Sequence, residues 1–148
     1  MRSMLSMVLL GSLVAGAPVV VVADSVVKEG KGLDRVYVGQ PADDVLKSLG
    51  TPKDNLHDLY LVYELEGGVI LKYRVDDGRL ATLSFKGEPG APYKTARGAT
   101  FGSSIDAVRK LYGKPDLEVA DKLFYLRQGV SFFFDADKCY EIKVFAKE

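Results

Sequence analysis

The chain has 148 residues, 47% of them hydrophobic, and its 20 Lys and Arg balance its 20 Asp and Glu to a formal net charge of zero. That balance argues against a nucleic-acid binder, for which a basic face is expected. A single cysteine, Cys139, excludes an intrachain disulfide, and a single histidine, His57, makes a poor zinc site.

Residues 1–23 carry one arginine, Arg2, then a long apolar run, with Val21 and Ala23 placed like the small residues before a signal-peptidase cut. The expectation is a signal peptide over 1–23 cleaved after Ala23, and so an exported, periplasmic or secreted protein. The alternative is an uncleaved anchor, since Met4 to Ala23 gives 20 mostly apolar residues, enough to span a bilayer. A membrane is expected as a partner only in that second case. Cys139 lies far from this region, so there is no cysteine for a bacterial lipid anchor. The stretch 24–32, "DSVVKEGKG", is polar and glycine-rich, and it is expected to be a flexible tail.

Repeat 1 is expected over 33–86. Within it Gln40 and Pro41 open a helix, because proline is tolerated at the first helical position, and Gly50 and Pro52 close it. Ala42, Val45 and Leu49 form its apolar side. Three strand-like runs follow, "LYLVYEL", "VILKYRV" and "RLATLSF", separated by the turn signals "EGG" and "DDG". Residues 87–98, with three glycines and two prolines, are expected to be a linker.

Repeat 2 is expected over 99–148. Laying Val38–Lys53 over Phe101–Asp116 matches Gly39/Gly102, Asp43/Asp106, Val45/Val108, Lys47/Lys110, Gly50/Gly113 and Pro52/Pro115. Those are six identities in 16 positions, where chance gives about one, and self-similarity at a fixed offset marks a repeat. Ser103 is the expected cap of the second helix, and Gly113 is expected to end it in the left-handed conformation. Ile105, Val108 and Tyr112 form the apolar side. The strands "KLFYLR", "VSFFFD" and "YEIKVF" follow, the first of uncertain register because the matching offset falls from 63 to 61 across it. Cys139 is expected to be a small half-buried hydrophobe.

A glycine, a short capped helix, then glycine, any residue and proline, then a three-stranded meander, resembles the outer-membrane assembly BamE (SmpA) family. Two such units in tandem resemble the beta-lactamase inhibitory protein and related exported repeat proteins. The residues that carry the resemblance are Gly39, Val45, Gly50 and Pro52 with Gly102, Val108, Gly113 and Pro115. It implies an α+β fold, with two short helices packed on one face of an antiparallel sheet. The acylated cysteine of the lipoproteins and the target-facing residues of the inhibitor have no counterpart here, so no contact residue carries over.

Candidate chemistry is sparse. His57, between Asp54 and Asp58, suits an acid/base pair or a metal ligand in type, but reads as a solvated loop residue. Asp76-Asp77-Gly78 and Asp135-Ala136-Asp137 lack the spaced oxygen ligands of a calcium loop and read as turns. No glycine-rich phosphate loop is present. What remains is the sheet face away from the helices, expected to carry Tyr60, Ile70, Lys72, Arg74, Phe133 and Phe145, the mixture of aromatic residues and arginine that interfaces favour. The expectation is a non-catalytic protein-binding module of the cell envelope, needing no cofactor, whose partner is another envelope or secreted protein. Alternatives are an inhibitor of a secreted or periplasmic hydrolase probing with the Asp76–Asp77 hairpin, and a small hydrolase or metal protein centred on His57.

Overall fold

A computed structural model describes residues 18–148. In chain order its elements are β1 (Val26–Val27), α1 (Ala42–Leu49), β2 (Asp54–Leu56), β3 (Tyr60–Glu64), β4 (Ile70–Asp76), β5 (Arg79–Lys86), β6 (Lys94–Thr95), α2 (Ile105–Tyr112), β7 (Leu117–Val119), β8 (Lys122–Tyr125), β9 (Val130–Asp135) and β10 (Lys138–Phe145). Eight strands make one antiparallel sheet in the order β2-β3-β4-β5-β10-β9-β8-β7, and β1 pairs with β6 in parallel beside it. The fold is α+β. The sheet is joined at its centre by its two longest strands, β5 and β10, where Phe85 lies opposite Ile142 and Leu83 opposite Val144.

Strand alternation sends one side chain in two to each face. The row Leu61, Tyr73, Leu83, Val144, Val130, Tyr125 crosses six strands and is buried throughout. Val45 and Leu49 of α1 and Val108 and Tyr112 of α2 are buried with it in one core. The Tyr112 ring sits 5.2 Å from that of Tyr125 and 5.0 Å from that of Phe132, so α2 lies on this face. Tyrosine hydroxyls fasten both helix ends: Tyr63 donates to the Gly50 carbonyl at 2.9 Å, and Tyr125 to that of Gly113 at 2.8 Å.

The helix boundaries differ in detail from expectation. The cap of α2 is Ser104, whose Oγ accepts from the Ala107 N–H at 3.1 Å, while Ser103 instead accepts from the Thr100 N–H. Pro41 precedes the first helical residue of α1, and Gln40 turns back to accept from the Tyr37 N–H. Both helices close on glycines outside the left-handed helical region, Gly50 at φ 82°, ψ −155° and Gly113 at φ 86°, ψ −155°.

Each helix is followed by four strands of the eight-stranded sheet, one more than the alternation indicated. The added strands, β2 and β7, have three residues each, all exposed. A strand that buries neither face has no two-residue apolar period to read. The strand of uncertain register is β8, which turns Leu123 and Tyr125 inward.

Residues 24–32 are not a free tail. Val27 is fully buried, β1 pairs with β6 at Val26–Lys94 and Val27–Thr95, and Glu29 bonds the Tyr112 hydroxyl and the Arg97 N–H. The partners lie more than sixty residues away, so composition alone did not disclose them. The linker is built in as well, with Tyr93 and Thr95 buried and Pro92 packed where a Gly67 side chain would stand.

The signal-peptide expectation falls mostly outside the described residues, but its last six residues lie within them. Val20 donates to the Glu64 carbonyl at 2.8 Å and accepts from the Glu66 N–H at 3.2 Å, and Val22 is 3% exposed. Cleavage after Ala23 would remove these contacts. Val22→Ala is expected to destabilise by about 2–3 kcal/mol, from about 0.8 kcal/mol for each of the two buried carbons removed plus a cavity term. An unchanged urea midpoint would place Val22 outside the working core. Cys139 is buried rather than half-buried, and burial pushes its thiol up to about 12.

Candidate functional site

The sheet face opposite the helices is organised by register, because residues directly opposite one another on neighbouring strands share a face. One row runs Leu56, Tyr60, Arg74, Thr82, Phe145. The next runs Asp54, Val62, Lys72, Ser84, Lys143, Ser131, Phe124, Leu117. A third runs Glu64, Ile70, Lys86, Glu141, Phe133, Lys122, Val119. The six residues singled out from the sequence, Tyr60, Ile70, Lys72, Arg74, Phe133 and Phe145, all fall in these three adjacent rows.

Their surroundings differ. The Lys72 ammonium stands 4.9 Å from the centre of the Tyr60 ring. Phe133 is half-buried, edge-on to Phe124 at 6.0 Å, with the ammonium groups of Lys143 at 5.3 Å and Lys122 at 5.8 Å. Such cation–ring pairs are worth about 0.5–1 kcal/mol each when exposed. Ile70 is half-buried between Glu64 and Lys86 in register. Phe145 is half-buried at the end of its row, one strand from Thr82.

On this face lies a depression of about 270 Å³ lined by Tyr60, Lys72, Tyr73, Arg74, Thr82, Ser84, Lys86, Glu141 and Lys143. Its one carboxylate, Glu141, is 9% exposed and accepts from the Ser84 hydroxyl at 2.5 Å. Among the described residues no carboxylate lies within 4.0 Å of Lys72, Arg74, Lys86, Lys122 or Lys143; the six ion pairs there involve other groups. The Ser131 hydroxyl, in the row with Lys143, is buried and has no hydrogen-bond partner among those residues. Single-strand alternation singled out Lys72 and Arg74. Lys86, Lys143 and Lys122 join them only through the pairing of β5, β10 and β8, which their own alternation does not reveal.

The other candidates are turns. His57 and Asp58 both have positive φ, 57° and 59°, between β2 and β3, and Asn55 holds that turn through bonds to the Asp58 N–H and carboxylate. Asp77 and Gly78, at φ 52° and 76°, form the tight turn between β4 and β5. The Asp76–Gly78 turn is fastened to the start of α1, since the Ala42 N–H donates to the Gly78 carbonyl at 2.9 Å and Arg79 donates to that of Gly39 at 2.8 Å. Ala136 and Asp137 make the turn between β9 and β10, and the Asp137 carboxylate accepts from the Ile105 N–H at the start of α2. Among the described residues no three His, Cys, Asp or Glu side chains gather as metal ligands, and no helix is long and apolar enough to cross a membrane.

Fold and site together define an α+β domain with a cation-bearing sheet face left uncovered by the described residues. No protein-family model, curated protein or solved structure matches the chain.

Proposed function

We propose that this chain is a non-catalytic, exported protein-binding module that takes another envelope or secreted protein on the open face of its sheet. The observation that carries the proposal is the convergence of aromatic, aliphatic and cationic side chains from β3, β4, β9 and β10 into three neighbouring rows of one uncovered face. Protein interfaces favour this composition. The resemblance to tandem exported repeat proteins is supported by the order of elements in the eight-stranded sheet, where each helix is followed by one short strand and then by a three-stranded antiparallel meander. Matching helix-end geometry at Gly50 and Gly113, and matching Tyr63 and Tyr125 hydroxyl bonds, support it further. A hydrolase inhibitor probing with the Asp76–Asp77 hairpin has less support, because that hairpin is bound down to the start of α1.

The combined variant Tyr60→Ser, Arg74→Ser, Phe133→Ser is expected to lose the partners that the parent chain retains in a pull-down from envelope extract, and to keep a cooperative thermal melt. Recovery of the same partners by a folded variant would remove the open face from the proposal.

A further inference from the structure

We infer that the partner segment received by this face is acidic at its middle and apolar at both ends. The inference rests on the open-face reading above and adds the chemistry of the occupant.

The chain is neutral as a whole, yet charge on this face is segregated. Lys72, Arg74, Lys86 and Lys143 surround one depression across β4, β5 and β10, and Lys122 lies two strands beyond. The depression holds one carboxylate, Glu141, against these four cations, and that carboxylate accepts from the Ser84 hydroxyl without an ion pair within 4.0 Å to any of them. Cations in excess of the anions among them repel one another, and complementary charge on a partner relieves that repulsion while steering its approach.

Apolar flanks bracket this centre. On one side Leu56 and Tyr60 are 44% and 37% exposed, and on the other Leu117 and Val119 are 50% and 49% exposed beside Phe124. At about 4.8 Å between strands, the eight-stranded sheet is about 34 Å wide. An occupant crossing obliquely, from Leu56 and Tyr60 in the first row to Leu117 and Val119 in the second and third, therefore meets apolar, cationic and apolar surface in turn and misses Asp54 and Glu64 at the other ends of those two rows. A small free anion would use only the centre. A planar lipid surface would leave the depression unfilled, whereas a carboxylate side chain enters it.

The test is selection from a displayed random-peptide library on the full chain, followed by binding titrations with the selected peptides and with vesicles of phosphatidylglycerol and phosphatidylcholine. Selected peptides are expected to carry Asp or Glu between apolar residues. Their affinity is expected to fall about tenfold or more in Lys72→Glu/Arg74→Glu, and to weaken from about 50 mM to about 500 mM NaCl as surface charges are screened. Neutral or basic peptides whose binding is lost in Tyr60→Ser/Phe133→Ser would overturn the acidic occupant and leave the open-face reading standing. Peptides that bind every folded variant as well as the parent would overturn both. Binding to the anionic vesicles without any peptide selected, or no binder of either kind, would overturn the acidic segment.

Discussion

Phe132→Ala is expected to destabilise the protein by about 3–5 kcal/mol, the range for deleting a large aromatic side chain from a packed core. Phe132 is fully buried on β9, opposite Ile142 and Leu123 on the neighbouring strands. Its ring is 5.0 Å from that of Tyr112 on α2 and edge-on to that of Tyr125 at 6.1 Å. The deletion thus removes the surface on which α2 lies, and a helix of eight residues does not persist without one. The same substitution one residue along, at Phe133, points to the open face and is expected to cost only about 1–2 kcal/mol, the worth of its two cation–ring pairs. Urea melts of the two single variants check the contrast. Similar losses at both positions would mean that β9 does not present opposite faces to core and solvent, and the site assignment would fall with that register.

Gly113→Val is expected to cost about 1–3 kcal/mol, and the physical cause is chirality rather than crowding. The backbone there is at φ 86°, ψ −155°, a region essentially restricted to glycine, while nothing lies within 4 Å of where a side-chain carbon would stand. Gly113→Ala is therefore expected to lose nearly as much as valine despite its smaller size. D-alanine at the same position, introduced by semisynthesis, meets mirror-image sterics and is expected to be neutral or stabilising, by up to about 1 kcal/mol through the unfolded chain. Thermal melts of the three proteins decide it. A large loss with D-alanine would mean that space, not backbone conformation, requires glycine here.

Much of the architecture was legible locally because it is written in short-range chemistry. The stops at Gly50-Thr51-Pro52 and Gly113-Lys114-Pro115 end α1 and α2 where expected, and Asp77-Gly78 makes the hairpin turn that its composition indicates. The buried alternation of Leu71 and Tyr73, and of Phe132 and Phe134, set the inward faces of β4 and β9. Where expectation and structure part, the deciding contact is distant. Val26 and Val27 look like apolar residues in a polar tail until β6 comes alongside. Tyr112 reads as one more apolar helix residue, yet its hydroxyl meets both Glu29 and Thr95.

The sequence by itself determined two short helices, their stops, the inward side of the main strands and the outward direction of Tyr60, Lys72, Arg74 and Phe133, because propensity, capping and alternation act over a few residues. Only the tertiary structure decided that β5 pairs with β10. That pairing sets Lys86 and Lys143 beside Lys72 and Arg74 around one depression, where Glu141 is a single carboxylate against four cations. No local rule contains this information, since cross-strand neighbours are chosen by the burial of the opposite face, where Phe85 meets Ile142 and Leu83 meets Val144.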